Sequence, residues 1–231
     1  MDATTRARAR VAGIFYLITF VTSIPATALE RPALSNAHFI VSTSSDSRLL
    51  LGGVLDLLNA LAAVGTAVAL YPLLRRRHPS LALGFVTSRL MEAAVIFTSV
   101  AAILTLVALH TTAAGATGAD KASLITTGRS LVSLHDSTFL LGPGLIPAIN
   151  ALLLGTAMYR TGLVPRIIPS IGLIGAPLLL ASATATIFGV YDQISAPAGL
   201  AALPVAVWEL SLGLWLTIKG VRSNVCSPDR I

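Results

Sequence analysis

Six stretches of this chain each run for about 20 residues or more with few charges, and that pattern leaves little choice of fold. They cover residues 11–29, 49–74, 81–109, 131–158, 167–190 and 197–218. A helix rising about 1.5 Å per residue needs roughly 20 residues to cross ~30 Å of hydrocarbon. Lipid offers no partner to a free backbone N–H or C=O, so an open chain crosses it only as helices. The expectation is an all-α polytopic transmembrane bundle of six spans, forming a single integral membrane domain over residues 1–231.

Composition points the same way. Only 11% of the residues are charged and 55% are hydrophobic, against about 25% charged in soluble domains. With a mean hydropathy of +0.82, a soluble domain of this size could not keep its apolar surface from water.

The cations set the orientation. With the N-terminus inside, the cytoplasmic segments carry Arg6, Arg8, Arg10, Arg75, Arg76, Arg77, Arg160, Arg166, Lys219, Arg222 and Arg230. The external segments carry Arg31, Arg48, Lys121 and Arg129, balanced by Glu30, Asp46, Asp120 and Asp192. This positive-inside bias places both termini in the cytoplasm. The net charge of +6 is then a topology signal, with anionic lipid at the cytoplasmic face as its natural partner. It does not point to nucleic acid.

The first segment admits two readings. Arg6–Arg10, then Val11–Ile24, then Ala26-Thr27-Ala28 has the layout of a secretory signal and its cleavage site. Thr19, Thr22 and Ser23 make a poor signal core and suit a helix packed among others. Retention gives six spans and cleavage leaves five.

Charges inside spans are the informative residues, because each costs roughly 2.5–3.5 kcal/mol at mid-bilayer and is driven to face protein or water. They are Asp56, Arg89, Glu92, Asp136 and Glu209, accompanied by Asn59, His135 and Asn150. Gly52, Asp56, Asn59, Ala63 and Ala67 share one face of the second span, and Ala202, Ala206, Glu209 and Gly213 share one face of the sixth. Small residues mark close helix approach, so Asp56 and Glu209 are expected to point inward. Arg89 and Glu92, three apart, share a face of the third span.

Depth selects the pairs. At 1.5 Å per residue Glu209 lies near the midplane and Glu92 roughly 4 Å to the cytoplasmic side. On the same count Arg89 lies roughly 9 Å inward, Asp56 about 7 Å outward and Asp136 about 13 Å outward. The expectation is an Arg89–Glu92–Glu209 network with Asp56 and Asn59 above it, out of reach of Asp136. One guanidinium cannot neutralise every acid nearby. A surplus acid in low dielectric suits a proton relay, and equally an inert hydrogen-bonded strut.

In the fourth span Gly142-Pro143-Gly144 and Pro147 interrupt the helix, since proline lacks the N–H and clashes with the preceding turn. Broken spans line substrate sites in transporters, although proline kinks are also common in membrane helices.

Enzyme chemistry finds little support. No H-E-x-x-H, G-x-S-x-G or phosphate-loop pattern occurs. The one cysteine, Cys226, allows neither an internal disulfide nor a cysteine cluster. His135 and Asp136 are adjacent, so their side chains are expected to diverge on a helix, and His135 reads as a helix-end residue at the interface. His38, His78 and His110 fall in loops or at their edges. Trp208 and Trp215 read as packing residues, with Trp215 near the cytoplasmic end. No catalytic residue, metal site or cofactor is expected.

Ser88-Arg89-Leu90-Met91-Glu92, Leu134-His135-Asp136 and the run from Asn150 to Arg166 (NALLLGTAMYRTGLVPR) resemble the bacterial membrane family catalogued as domain of unknown function 4386. The resemblance runs from Ala12 to Lys219. It implies a polytopic helical protein of the bacterial cytoplasmic membrane and favours a retained first span. It brings no activity, substrate or catalytic residue. Three functions stay open: small-molecule or proton-coupled transport through a polar cavity, a structural or regulatory membrane module, and an intramembrane enzyme. A cavity separates the first and third from the second.

Overall fold

The computed structural model describes residues 3–36, 39–41, 46–113 and 117–222. Asp2, His38, Cys226, Asp229 and Arg230 lie outside these. Within them the chain runs α1 (Ala3–Leu34), a short 3-10 turn (Phe39–Val41), α2 (Ser47–Leu74), α3 (Pro79–Thr112), α4 (Gly118–Leu141), α5 (Ile146–Thr161), α6 (Ile167–Ile187) and α7 (Ala196–Ile218). Six spans are long and apolar enough to cross a membrane, α4 and α5 together forming the fourth.

Local chemistry sets several boundaries. Pro79 opens α3, where its missing N–H costs nothing. Gly162, in the left-handed region at φ 66°, closes α5, its N–H donating to the Met158 carbonyl at 3.0 Å. Ser195 caps α7 by accepting from the Ala198 N–H at 3.5 Å.

Each span packs on the next, and α7 returns to α1, so the six close into a ring. One end brings together the start of α1, the end of α2, the α5–α6 turn and the end of α7. Ala9, Leu74, Leu163, Val164 and Val221 are buried there in one cluster, and the Arg222 N–H donates to the Leu163 carbonyl at 2.8 Å. The exposed arginines 6, 8, 10, 75, 76, 77, 160, 166 and 222 gather at this end.

At the other end α3 projects, its 34 residues spanning about 50 Å against the ~30 Å of a hydrocarbon core. A second buried cluster of Phe39, Ile40, Leu49, Ile103, Leu106 and Ala113 packs this projecting part. His110 Nδ1 sits 2.7 Å from Asp46 Oδ1 and ties α3 to the start of α2.

The helices extend past the expected spans chiefly at this far end. The first was expected to stop at residue 29, yet α1 continues to Leu34 through Pro25 and Pro32. Glu30, read as an external-loop charge, is therefore a helical residue only 2% exposed. The fourth span is interrupted over residues 142–145 rather than merely bent.

Small residues let the helices approach closely. The Trp208 indole lies on Gly172, where an added Cβ would come within 2.5–2.9 Å of three ring carbons. Trp208 is fully buried, so it has no room to retreat. Gly172→Val is expected to lower stability by about 1–3 kcal/mol through overpacking. Unfolding of the detergent-solubilised variant against wild type checks this.

Candidate functional site

Arg89 lies at the centre of the ring. Its side chain is 3% exposed, and it donates from Nη1 to Glu92 Oε2 at 3.0 Å and from Nη2 to Glu209 Oε1 on α7 at 2.9 Å. Asn150 on α5 donates from Nδ2 to the same Glu92 oxygen at 2.8 Å. The guanidinium carbon also stands 5.0 Å from the Tyr16 ring centroid on α1 and 5.6 Å from that of Phe85. One cation thus joins α1, α3 and α7 directly, and α5 through Glu92. Two carboxyl groups share this one cation.

Above this group a cavity of about 360 Å³ opens, lined by residues from all six spans, among them Ser23, Asn59, Glu92, Pro143, Ser182 and Glu209. This is within the usual size range of small-molecule sites. The interruption between α4 and α5 forms part of the wall through Pro143, Gly144 and Pro147. Gly144 is required there, because a Cβ would sit 2.5 Å from the Leu140 carbonyl oxygen. Tyr191, in the α6–α7 connection, donates to Ser182 Oγ at 2.9 Å and holds that connection to the cavity wall. On the arginine-rich side the floor is solid. Tyr16, Phe85, Leu154, Met158, Trp208 and Leu212 are all fully buried there.

A second polar group lies nearer the far end. His135 on α4 is 5% exposed. Its Nε2 is 3.5 Å from Glu30 Oε2 and its Nδ1 3.4 Å from Asp136 Oδ1. Glu30 packs on Gly52 of α2, where an added Cβ would strike its side chain. Asp56, one turn along that face, interacts electrostatically with both Glu30 and His135.

The expected residues therefore fall into two groups. Arg89, Glu92, Glu209 and Asn150 make one, with Asn59 on the cavity wall. Asp56 joins His135, Asp136 and Glu30 in the other. Two expectations need correcting. His135 is a buried mid-helix residue rather than a helix-end residue. Its neighbour Asp136 does come alongside it, although its own side chain is 63% exposed, which makes Asp136 a rim residue.

Glu30, Tyr16 and Gln193 were missed. Glu30 had a signal, because Ala9, Ala12, Tyr16, Thr19, Thr22, Ala26 and Glu30 follow one another three or four apart. That is a single helical face, hidden by two prolines and the adjacent Arg31. Gln193 had none. With its amide turned to the orientation that satisfies both ends, it donates to the Asp136 carbonyl at 3.2 Å and accepts from the Leu140 N–H at 2.9 Å. Only the folded α6–α7 connection brings it there. Among the described residues no group of three or more His, Cys, Asp or Glu side chains is arranged to hold a metal.

A closed ring of apolar helices around a buried polar centre defines a multi-pass α-helical membrane protein. The chain belongs to the family described as "Domain of unknown function (DUF4386)", which it matches over residues 11–220. No curated protein and no solved structure matches it.

Removing the shared cation tests how far the bundle depends on it. Arg89→Met leaves two buried carboxylates unpaired and is expected to cost about 3–5 kcal/mol. Adding Glu209→Gln to that variant should return part of the loss. Unfolding of the three proteins in detergent measures both steps.

Proposed function

We propose that this protein carries a small polar solute across a bacterial cytoplasmic membrane, with both termini inside and the cavity open to the outside. The observation that supports this best is the cavity itself: about 360 Å³, walled by all six spans and ending on Arg89, Glu92 and Glu209. A module whose charges served only to fix helix register would have no need of such a space. A broken helix beside the polar floor is an arrangement that transporters use at midplane sites. Two carboxylates against one guanidinium favour a solute that brings a positive charge or several hydrogen-bond donors. The collected arginines support a cytoplasmic assignment of their end and contact there with anionic lipid.

A non-transporting structural module is the second reading. It is favoured by the short ion pairs of an almost fully buried Arg89, which would equally brace the ring.

Uptake separates the two. Proteoliposomes would be challenged with a panel of radiolabelled small amines and zwitterions under an imposed proton gradient. Wild type should accumulate at least one above empty vesicles. Ala202→Trp, which fills the cavity from α7, should abolish that uptake while leaving the thermal midpoint near wild type. No uptake of any panel member by a well-folded wild type would favour the structural module.

A further inference from the structure

The outer group has features that the transport reading does not use. Glu30 is 2% and His135 5% exposed, and neither Glu30 Oε1 nor His135 Nε2 has a hydrogen-bond partner. The 3.5 Å between His135 Nε2 and Glu30 Oε2 is longer than a settled hydrogen bond, yet short enough for one to form with a small shift of either side chain. Buried polar atoms left this way call for an explanation beyond packing.

Their order across the structure supplies one. Asp136, with its side chain 63% exposed, stands at the rim. His135 lies next to it, followed by Glu30 and then Asp56, which is 8% exposed. Asn59 continues the Asp56 face of α2 into the wall of the inner cavity. A separate pocket of about 170 Å³, lined by Thr27, Arg31, Asp136, His135, Glu30 and Gln193 among others, brings solvent to the rim. Gln193 and Phe139 line both cavities and separate them.

From this geometry we infer that Asp136, His135, Glu30 and Asp56 form a proton-entry path leading toward the inner cavity, with His135 as the relay. The inference deepens the transport reading by naming its coupling ion, and rests on that reading only for its purpose. An external proton, taken up by the exposed Asp136 carboxyl, bonds to His135 Nδ1 as the Nε2 proton leaves for Glu30 Oε2. Glu30 becomes a neutral carboxylic acid, and the imidazole ends neutral with its proton on Nδ1. Exchange with water in the rim pocket, which takes the Nδ1 proton and returns one to Nε2, restores the starting tautomer. Imidazole suits the step because its two nitrogens can accept and donate on opposite sides. Asp56 lies beyond Glu30 as the next acceptor. Arg31, on the pocket wall, is the cation facing the group, and Gln193 is its uncharged neighbour from the α6–α7 connection.

The relay can be tested without any transported solute. Wild type in lipid nanodiscs would be held in acidic buffer, where carboxyl groups carry protons. The carboxylic C=O stretch of Glu30 would be identified in the infrared by its loss in Glu30→Gln. On exchange from H₂O to D₂O this band should shift within the mixing time in wild type. In His135→Gln the shift should slow by about a hundredfold, the scale of a lost proton-transfer group. Asp136→Asn alters only an exposed side chain, so it keeps the test open if the His135 variant fails to fold, and it too should slow the shift.

Exchange at the same rate in every protein would show that water reaches Glu30 directly, and a band that never shifts in wild type would show a sealed site. Either result overturns the relay. Nanodiscs carry no flux, so the relay stands or falls apart from the uptake measurement.

Discussion

One guanidinium holds this bundle in register. Arg89 lies where water is scarce and an isolated charge would be prohibitive, so each group around it answers its demand for partners. Glu92 comes from its own helix, Glu209 from the helix that closes the ring, and Asn150 secures Glu92 from the broken span. The aromatic rings of Tyr16 and Phe85 fill the remaining sides. In hydrocarbon, apolar surface gives helices little reason to prefer one neighbour over another. A shared ion pair supplies that preference because its geometry is satisfied in only one arrangement of α1, α3, α5 and α7.

The same demand shapes the space above it. Polar side chains fixed by Arg89 cannot be closed over by leucines without leaving lone pairs unsatisfied, so the interior opens into a cavity on one side of the network. On the arginine-rich side, large apolar residues fill the ring completely. That asymmetry gives the protein a direction. The break between α4 and α5 belongs to it as well, because Pro143 and Gly144 let backbone take the place of side chains in the cavity wall. Gly144 permits the chain to pass against the Leu140 carbonyl.

The parts of this arrangement governed by periodicity and hydropathy were legible in the sequence. The six spans, the Arg89–Glu92 pair and its reach to Glu209 follow from helix rise and the cost of buried charge, both of which act locally or by depth. The second group was only half legible. Asp56 and His135 could be seen as buried charges, but their meeting depends on the lateral order of α1, α2 and α4, which depth does not specify. Glu30 was obscured because proline and a neighbouring arginine resemble the end of a span. In fact α1 runs on as a helix to Leu34. Gln193 reaches its partners through an irregular connection that no periodic pattern describes.

Two separate polar groups, one central and one near the rim, are more than helix register requires. Register is already set by Arg89, and the outer group holds together less tightly, with contacts of 3.4 and 3.5 Å where those of the inner one run from 2.8 to 3.0 Å. A brace would be expected to show the inner geometry in both places. Loose contacts among ionisable groups cost stability, and such a cost is most readily maintained where the groups must change partners. The stripe from Asp136 through His135, Glu30 and Asp56 to Asn59 has that character. It runs from exposed rim to buried centre and ends at the wall of the cavity whose floor Arg89 organises, so that a charge change in one group would be felt electrostatically by the other across the low-dielectric interior.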